Sequence, residues 1–309
     1  MGRVLVTGAA GFIGSHLRDA LEGDGHDVVA VDCLTDYYDP ELKRENTGGR
    51  PLGELDLAAD DLGPLLEDVA VVYHLAGQPG VRASFGPDFE LYLRRNVLAT
   101  ERLFEAAAAR GIRVVYASSS SVYGDAESYP TPEETLPKPI SPYGVTKLAC
   151  EHLAHALART AGLEAVGLRY FTVYGPRQRP DMAFARLLQA VALGLPFPLY
   201  GDGSASRGFT YVADAVAATV AAAATGRPGE LYNVGGGEEA TMSEAIRLVE
   251  RIAERDAVIE RHPAASGDVR RTRADTTKTE RELGARATTP LAEGLRAQWE
   301  WVAARVAAR

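Results

Sequence analysis

Short apolar runs and longer amphipathic segments alternate over the first 170 residues of the chain. Runs rich in apolar and β-branched residues and bounded by turn residues are typical of strands, whereas apolar positions three or four apart predict helices. Strands are predicted at 3–7, 26–32, 53–57, 69–77, 112–117 and 165–170. Helices are predicted to begin near Ser15, Asp60 and Ser141 and to span 89–110. This alternation predicts an α/β fold with a doubly wound parallel sheet.

The pattern changes after residue 171, where a long basic loop at 171–181 replaces the regular alternation. Beyond this loop, apolar periodicity predicts helices at 182–193, 212–224, 242–255, 276–283 and 290–306. The apolar run at 231–234 is predicted to rejoin the main sheet. We therefore predict one large domain at 1–171, which 208–234 rejoins, and a smaller C-terminal lobe formed mainly by 172–309.

The bulk properties of the chain restrict its partners and its location. Its 309 residues carry a formal net charge of −9, which argues against a nucleic-acid or anionic-membrane partner. Cys33 and Cys150 lack the spacing of metal ligands and are expected to be reduced thiols of a cytoplasmic protein. No apolar run approaches the roughly 18 residues of a membrane span. The first strand begins too early to leave room for a signal peptide.

Three glycines follow the first predicted strand, at Gly8, Gly11 and Gly14. In a strand–turn–helix unit this spacing allows a tight turn, a close approach to a pyrophosphate and close packing of the helix on the strand. The positive N-terminal end of the helix would then hold the phosphates. Asp32 ends the second strand 18 residues after Gly14, where a carboxylate can bind ribose hydroxyls and repel a 2′-phosphate. These features predict bound NAD rather than NADP; the alternative is a glycine-rich turn that binds nothing.

Further cofactor contacts are expected where later strands end, because open α/β sheets bind ligands along the carboxyl ends of their strands. Asp56 could accept a hydrogen bond from the adenine amino group, or could equally cap the helix predicted near Asp60. Asn96 is a poor helix former inside a helix and is expected to have a polar partner. His74 is interpreted as a satisfied buried histidine rather than a catalyst. The predicted cofactor contacts are Gly8, Gly11, Phe12, Ile13, Gly14, Asp32, Asp56, Leu57, Leu75, Ala76, Gly77, Asn96, Ala117, Tyr143, Lys147, Tyr170 and Val173.

A bound nicotinamide points to hydride transfer, which requires a group that moves the accompanying proton. Tyr143 and Lys147 lie one helical turn apart and project from the same face of the predicted helix. A phenol ordinarily titrates near pH 10, so acting as a base at neutral pH requires about 4 kcal/mol of stabilisation from nearby positive charge. Ser119 or Ser120, after the fifth strand, could bind the reacting hydroxyl. The alternative is a half-buried aromatic residue beside a solvated surface lysine.

Together these motifs make the chain resemble the extended short-chain dehydrogenases/reductases, in the nucleotide-sugar epimerase/dehydratase group. The resemblance covers nearly all of the chain and rests on the three glycines, the serines at 118–121, Tyr143 with Lys147, 169–171 with 174–176, 201–203 with Arg207, and 267–268 with 270–271. It implies that NAD stays bound and is recycled: the tyrosine deprotonates a sugar hydroxyl, hydride passes to NAD, and the keto-sugar is re-reduced or diverted. It also implies that 172–309 mainly binds the nucleotide sugar, and that a homodimer pairs through helices around 88–110 and 143–160.

The serines after the fifth strand bear on which reaction follows. Dehydratases of this group carry an Asp–Glu pair where Ser120 and Ser121 stand, and UDP-glucuronate decarboxylases carry a glutamate at the position of Ser121. A serine is a poor replacement for a carboxylic acid in proton transfer. Both absences favour simple epimerisation at C4. A catalytically silent NAD-binding regulator is the hypothesis from another class, and the retained Tyr143–Lys147 pair disfavours it.

The loop after the sixth strand resembles that of UDP-glucuronate 4-epimerases, as does the segment 36–40, whereas UDP-galactose 4-epimerases typically have asparagine where Thr172 stands. By position, Thr172 and Arg179 would face the substituent on C5 of the sugar, and a guanidinium suits a carboxylate through a bidentate pair. For Arg179 the alternative is a diphosphate contact or a surface ion pair. UDP-glucuronate is therefore the first expected substrate and UDP-glucose the second, with decarboxylation of UDP-glucuronate less favoured.

Arginines of the second lobe match those that hold the substrate diphosphate in this group. Arg207 and Arg270 occupy these positions, although Gly208 replaces the acid that usually follows Arg207 and could orient it. The predicted catalytic residues are Tyr143, Lys147, Ser119 and Ser120. The predicted substrate contacts are Arg82, Ser119, Thr172, Arg179, Met182, Tyr200, Arg207 and Arg270. No metal ion is expected to take part.

Overall fold

A parallel β-sheet with helices on both faces forms the centre of the molecule. The structure, a computed structural model, describes residues 2–263 and 270–308. Its strands are β1 (Arg3–Thr7), β2 (Asp27–Asp32), β3 (Gly53–Glu54), β4 (Val69–His74), β5 (Arg113–Ser119), β6 (Ala165–Tyr170), β7 (Thr172–Tyr174), β8 (Phe197–Tyr200), β9 (Ser206–Tyr211), β10 (Leu231–Val234), β11 (Glu239–Thr241), β12 (Ile259–His262) and β13 (Arg271–Thr272). Its α-helices are α1 (Phe12–Gly23), α2 (Pro40–Asn46), α3 (Phe89–Tyr92), α4 (Ala99–Ala108), α5 (Pro142–Ala161), α6 (Ala183–Leu193), α7 (Val212–Thr225), α8 (Met242–Ala253), α9 (Thr277–Leu283) and α10 (Leu291–Ala307).

Seven of the described strands form the main sheet, in the order β10-β6-β5-β4-β1-β2-β3. All neighbouring pairs in it run parallel. The strand order reverses between β1 and β4, and in open α/β sheets such a reversal leaves a crevice at the carboxyl ends of the strands. The predicted doubly wound α/β fold is confirmed.

Successive residues of the central strands face opposite layers of helices. Val4 and Val6 of β1 pack in one cluster with Leu17 of α1, whereas Leu5 packs in another with Leu103 of α4. All residues of β6 are buried, as expected for a strand covered on both faces. Burial on both faces is the reason why the strands have continuous apolar runs rather than alternating ones.

The second lobe is built around β9. The first half of this strand pairs with β11 and β13, and the second half pairs with β7. β8 and β12 form a separate parallel pair. Helices α6, α8 and α10 enclose a core in which the rings of Phe184 and Phe209 stack with their centres 4.4 Å apart.

The chain returns from this lobe to the main sheet through α7 and β10. α7 packs against α1, and β10 lies beside β6 with Leu231 opposite Gly167, so the predicted return of 231–234 is confirmed. Residues 208–211 differ from the prediction, because they pair with β7 and β11 in the smaller sheet. The segment predicted as a basic loop at 171–181 also contains a strand, β7, which pairs with residues 209–211 of β9.

The region between β3 and β4 differs from the prediction as well. β3 covers only Gly53–Glu54, and no helix begins near Asp60. Instead, Asp56 Oδ1 accepts a hydrogen bond from the Ala58 N–H at 2.9 Å, and Asp60 Oδ2 accepts one from the Asp56 N–H at 2.8 Å. Short acidic side chains compete for the backbone in this way and favour turns over helices. A 3₁₀ turn at Pro64–Leu66 follows.

The helix predicted at 89–110 is not α-helical along its whole length. α3 and α4 are joined by a π-helical segment at Leu93–Leu98, which contains Asn96. The carboxamide of Asn96 accepts a hydrogen bond from the Gln78 N–H at 2.6 Å and donates one to Thr146 Oγ1 at 3.0 Å. The polar partner predicted for Asn96 is confirmed. Its contacts join this helix to the loop after β4 and to α5.

Candidate active site

The crevice between β1 and β4 opens into a deep cleft along the carboxyl ends of the main sheet. Most predicted cofactor contacts line this cleft: Gly8, Gly11, Phe12, Ile13, Gly14, Asp32, Asp56, Leu57, Leu75, Ala76, Gly77, Ala117, Tyr143, Lys147, Tyr170 and Val173. Ser119, Arg179 and Met182, from the predicted catalytic and substrate sets, line it too. The parallel sheet thus brings the ends of β1, β2, β4, β5 and β6 into one site.

The turn after β1 has no room for a side chain at Gly8 or at Gly14. Gly8 has a φ of +69°, and a Cβ on it would lie 2.8 Å from the Ala76 nitrogen. A Cβ on Gly14 would collide with the carbonyl oxygen of Gly8, so α1 packs directly on the turn. α1 begins after Gly11 without a side-chain cap, which leaves its first N–H groups available to an anion at the cleft. The residues present therefore fit the pyrophosphate of a dinucleotide.

Asp32 ends β2 at the wall of the cleft. Its carboxylate accepts hydrogen bonds from the Leu34 N–H at 2.9 Å and from the Ala10 N–H at 3.2 Å. Burial raises the pKa of Asp32, while these hydrogen bonds and the positive charge of Lys43 act against the rise. The two N–H donors hold the carboxylate in place, and its remaining lone pairs suit the hydroxyl donors of a ribose.

Asp56 lines the cleft and also organises the turn after β3. Besides capping this turn through Ala58, the carboxylate accepts a hydrogen bond from Arg94 Nη2 at 2.9 Å. Burial acts to raise the pKa of Asp56, but the hydrogen bonds from Arg94 and Ala58 outweigh it and lower the pKa overall. The capping role is thus observed, for a turn rather than a helix. A contact with adenine stays a prediction.

Asn96, a predicted cofactor contact, and Ser120, a predicted catalytic residue, lie outside the cleft lining. Asn96 also donates to the Gln78 carbonyl at 3.2 Å, and a Cβ on Gly77 would lie 3.0 Å from its Oδ1. It therefore supports the main chain behind the cleft. Ser120 follows the end of β5, where the chain turns into a 3₁₀ segment at Ser120–Val122. Ser119, the last residue of β5, lines the cleft just before this turn.

The start of α5 lies against the serine turn. Ser141 caps the helix by accepting a hydrogen bond from the Gly144 N–H at 3.1 Å, and Pro142 takes the first helical position, as predicted. A Cβ on Gly144 would lie 2.5 Å from the Ser121 carbonyl oxygen, so helix and turn are in close contact. Ser121 also donates its N–H to Ser119 Oγ at 3.2 Å, which orients that hydroxyl.

Tyr143 and Lys147 project from α5 into the cleft. The Tyr143 N–H donates to Ser84 Oγ at 3.0 Å, and the Tyr143 ring packs edge-on against Tyr92, with ring centres 6.4 Å apart. Lys147 is buried, and its Nζ donates to the Ala117 carbonyl at 2.9 Å. The ammonium is thus fixed at the end of β5, one helical turn from the phenol. This arrangement suits proton transfer to or from a ligand hydroxyl.

Arg179 reaches the cleft from the loop after β7. Asp181 engages its guanidinium in a bidentate pair, with Nε–Oδ1 at 3.0 Å and Nη2–Oδ2 at 3.1 Å. The Tyr37 hydroxyl also donates to Asp181, at 3.3 Å. Burial acts to lower the pKa of Arg179, but the charge of Asp181 raises it overall. One of the alternatives stated for Arg179, an ion pair, is therefore observed. The same guanidinium also lines the cleft.

The remaining predicted substrate contacts are not part of the cleft lining: Arg82, Thr172, Tyr200, Arg207 and Arg270. Arg82 lies over the ring of Tyr200, with Cζ 5.1 Å from the ring centre. Arg207 Nη1 donates to the Ser206 carbonyl at 2.8 Å, and Arg270 is exposed just before β13. Four of these residues belong to strands or loops of the second lobe: Thr172, Tyr200, Arg207 and Arg270. Arg82 faces that lobe through its contact with Tyr200. The motif residues at 267–268 lie outside the described residues.

Residues 4–235 match the model of the NAD dependent epimerase/dehydratase family. The chain belongs to this family. The family predicted from the motifs is confirmed, and its description names the predicted cofactor. A Bacillus subtilis (strain 168) relative, named as an uncharacterised UDP-glucose epimerase, is 41% identical over 304 residues, which cover 95% of this chain and 95% of the relative.

Two solved proteins are similar to this family member over nearly their whole length. UDP-glucuronic acid 4-epimerase from Bacillus cereus, crystallised with UDP-glucuronic acid and NAD, has a TM-score of 0.93 at 40% identity, covering 97% of this chain and 98% of that chain. MoeE5 in complex with UDP-glucuronic acid and NAD has a TM-score of 0.88 at 45% identity, covering 99% of this chain and 100% of that chain. MoeE5 has also been solved with UDP-glucose and NAD.

Several residues line the cleft of this epimerase/dehydratase-family protein without being among the predicted contacts: Cys33, Thr35, Tyr37, Tyr38, Lys43, Gln78, Arg95, Ser118 and Phe171. Some of them carry a sequence signal, because Tyr37 and Tyr38 belong to the polar, aromatic segment directly after β2, and Gln78 follows β4. Lys43 and Arg95 lie on helices, and only the tertiary structure brings them to the cleft.

His74 is the buried, satisfied histidine that the sequence predicts. Its Nδ1 lies 2.8 Å from Thr7 Oγ1, and its Nε2 lies 2.9 Å from Thr100 Oγ1. Burial, aided by the charge of Lys147, lowers the pKa of His74 to about 3. The ring is therefore neutral near pH 7 and joins β4 to β1 and α4.

Within residues 2–263 and 270–308, no group of three or more His, Cys, Asp or Glu side chains could hold a metal ion. In the same part of the chain, no helix is long and apolar enough to cross a membrane. Cys33 and Cys150 are free thiols.

Proposed function

We propose that this protein is an NAD-dependent 4-epimerase that interconverts UDP-glucuronate and UDP-galacturonate by transient oxidation at C4, rotation of the 4-keto intermediate and re-reduction. The observation that carries this proposal is the convergence of Tyr143, Lys147 and Ser119 on a cleft that begins at an uncapped helix N-terminus. The named activities of the similar proteins support the same reaction class.

The first turn of α1 and Asp32 would hold NAD, through N–H donors for the pyrophosphate and a carboxylate for a ribose. When bound, NAD supplies a reversible acceptor for hydride. Tyr143 would take the proton from the C4 hydroxyl of the sugar and return it after rotation. Lys147, fixed on the Ala117 carbonyl at 2.9 Å, would stabilise the phenolate, and Ser119 would donate a hydrogen bond to the reacting oxygen.

The absence of an acid beside this serine favours epimerisation over the other reactions of the group. Ser120 and Ser121 follow Ser119 in the turn after β5. A hydroxyl at these positions cannot serve at neutral pH as the acid or base that proton transfer at C5 or C6 requires. The keto intermediate would therefore be re-reduced rather than dehydrated or decarboxylated.

Arg179 is the residue proposed to recognise the substrate carboxylate, because a guanidinium binds a carboxylate through two hydrogen bonds. A second candidate substrate is UDP-glucose, since Asp181 already engages Arg179 through Nε and Nη2 and offsets its charge. The two substrates differ only in whether C6 is a carboxylate or a hydroxymethyl group. The UDP-glucose complex of MoeE5 and the name of the Bacillus subtilis relative support this alternative.

Incubation of the purified protein with each UDP-sugar, followed by chromatographic separation of the products, tests the proposal. We expect UDP-glucuronate to give UDP-galacturonate with a higher kcat/KM than UDP-glucose shows. Formation of a UDP-pentose would assign the decarboxylase reaction instead. No conversion of any UDP-sugar by NAD-loaded protein would overturn the proposed activity.

The role of Arg179 is tested by comparing both substrates in one variant. For Arg179→Ala we expect kcat/KM for UDP-glucuronate to fall roughly 10- to 100-fold, the loss of a charge-assisted pair. For UDP-glucose the change should stay within about threefold, because its hydroxymethyl group has no charge to pair. Arg179→Lys keeps the charge without the bidentate geometry and should give an intermediate value. Equal losses for both substrates would point to the diphosphate instead.

We further propose that residues 172–309 form mainly the nucleotide-sugar lobe, with Arg82, Thr172, Met182, Tyr200, Arg207 and Arg270 contributing to it, and that the protein is a cytoplasmic homodimer. Leu93 and Leu98, each 43% exposed, and Val145, 48% exposed, leave apolar surface on the adjacent helices at 89–108 and α5. Pairing of these helices in a second copy would bury that surface. Light scattering after gel filtration tests the dimer, and cell fractionation tests the location.

A further inference from the structure

Two contacts fasten the end of β5 to α5 beneath the catalytic residues. Lys147 Nζ donates to the Ala117 carbonyl at 2.9 Å, and Ser118 Oγ donates to Glu151 Oε1 at 2.5 Å. Ala117 and Ser118 are consecutive in the strand, while Lys147 and Glu151 are one helical turn apart. Two successive turns of α5 therefore each form a hydrogen bond with one of two consecutive residues of β5.

Glu151 is a buried carboxylate that has a partner for its charge. Arg169 donates from Nε to Oε1 at 2.9 Å and from Nη2 to Oε2 at 2.7 Å. The side chains are 3% and 5% exposed, and Arg169 stands opposite Ser118 in the pairing of β5 with β6. Glu151 of α5 thus bonds to Ser118 and Arg169, which lie opposite each other on the adjacent strands β5 and β6.

The same set of buried hydrogen bonds continues towards the second lobe. Arg169 Nη1 donates to the Tyr123 hydroxyl at 2.9 Å, and that hydroxyl donates to Asn233 Oδ1 at 2.7 Å. Asn233 Nδ2 donates to the Asp275 carbonyl at 3.0 Å. Asp275 follows β13, so these contacts lead from the segment after Arg270 to the end of β5.

We infer that Glu151 is a positioning residue for the epimerase reaction, which fixes the end of β5 against α5 so that Ser119 and Tyr143 stand at a set separation. Glu151 is absent from the cleft lining, so it acts through its hydrogen bond with Ser118 rather than on the ligand. Misplacement of a reacting group by about 1 Å can cost roughly 100-fold in rate. This inference rests on the proposed function and adds a residue to its machinery.

A purely structural role makes a different prediction from a positioning role. If Glu151 only stabilises the fold, its replacement lowers the melting temperature but leaves the kcat of the folded protein unchanged. If Glu151 positions Ser119 and Tyr143, kcat falls while the affinity for UDP is retained, because the residues proposed to bind UDP lie in the second lobe or facing it. The separation of kcat from KM and from UDP affinity therefore distinguishes the two roles.

The test is Glu151→Gln, which keeps the shape of the side chain but replaces the carboxylate that bonds to both Ser118 and Arg169. We expect kcat with the preferred UDP-sugar to fall about 10- to 100-fold at a temperature where the variant is folded. KM, and the dissociation constant of UDP measured by calorimetry, should stay within threefold. A kcat within twofold of the wild type, or a loss confined to KM, would overturn the inference.

Glu282→Gln is the matched control. Glu282 also receives two hydrogen bonds from one arginine, at 3.1 Å each from Arg227 Nε and Nη2, but lies away from the cleft. Because the Arg227 side chain is 61% exposed, this variant should lower thermal stability only slightly and leave kcat unchanged. Wild-type protein that converts no UDP-sugar would refute the proposed function itself, whereas active wild type with equally active Glu151→Gln refutes only the positioning role.

A second variant serves if Glu151→Gln does not fold. Ser118→Ala removes one hydroxyl and leaves the Glu151–Arg169 pair in place. We expect kcat to fall about three- to tenfold, with UDP affinity retained and circular dichroism unchanged, because only one of the two contacts between β5 and α5 is lost. Wild-type kcat in Ser118→Ala would show that Glu151 does not act through Ser118, and the inference would then be wrong.

Discussion

The two sides of the cleft are built in different ways. On the main-sheet side, Tyr143, Lys147 and Ser119 lie at the ends of α5 and β5, where buried hydrogen bonds hold strand and helix together. On the second-lobe side, Arg82 lies over an exposed tyrosine and Arg270 is itself exposed. The reactive groups are therefore fixed by strand register and helix periodicity. The groups proposed to bind the diphosphate depend on how the second lobe meets the first.

The largest effect should come from the fixed side. Tyr143→Phe removes the proposed proton acceptor, and we expect kcat to fall roughly 100- to 10,000-fold, the usual contribution of general acid–base catalysis. The dissociation constant of UDP, measured by calorimetry, should change less than threefold, since the ring and its packing on Tyr92 remain. Tyr73→Phe, at a buried tyrosine of β4 outside the cleft lining, is the matched control and should keep kcat. Undiminished turnover in Tyr143→Phe would refute the mechanism.

A smaller effect, of a different kind, is expected on the second-lobe side. Arg270→Ala should raise KM roughly tenfold while kcat stays within about threefold, because it would remove one charge-assisted contact with the diphosphate and no reacting group. Arg271→Ala is the control, since Arg271 is held by Glu239 through hydrogen bonds of 2.7 and 2.8 Å. Steady-state kinetics on both variants makes the comparison. A similar rise of KM in both would mean that the contact is not specific to Arg270.

A third effect concerns the acid stability of the main-sheet side rather than its catalysis. The pKa of His74 is lowered to about 3 in the folded protein, against an ordinary value near 6.5. A lowered pKa favours the neutral ring in the folded state, so His74 contributes stability above about pH 6.5 that is lost as the pH falls towards 3. The unfolding free energy should decrease by up to about 1.4 kcal/mol per pH unit in this window.

Urea unfolding at pH 7, 6 and 5 measures this slope. His74→Gln keeps hydrogen-bonding groups between Thr7 and Thr100 but cannot take up a proton, so it should flatten the pH dependence. The exposed His152→Gln is the control and should leave the slope as in the wild type. An unchanged slope in His74→Gln would show that acid acts on other groups.

The pattern of apolar and polar residues along the chain predicted element bounds well where every residue of the element is buried. β6 is predicted at its observed bounds because all of its residues are buried, and the cap of α5 follows from Ser141 and Pro142. It was a poor guide where polar side chains bond to their own backbone, as at Asp56 and Asp60. It also failed for 208–211, because the edge that this segment pairs with comes from β7 and β11, far from it in the chain.

The site shows the same division. Residues at strand ends were identified because every parallel strand points its carboxyl end at one edge of the sheet. Lys43 and Arg95 were not, since their helices reach the cleft only after packing. Asn96 lies in the π-helical segment, and its carboxamide bonds to Gln78 and Thr146, while its predicted contact with the cofactor stays a prediction.

The sequence by itself determined the parallel sheet, the glycine turn with Asp32, and the Tyr143–Lys147 pair, because each depends on spacing along a single element or between consecutive ones. The tertiary structure alone decided that Glu151 meets Ser118 and Arg169, and that Asp181 engages Arg179. Sequence spacing gives the direction of a side chain from its own element. The distance between elements, and so the partner that neutralises a buried charge, is set only when the elements pack.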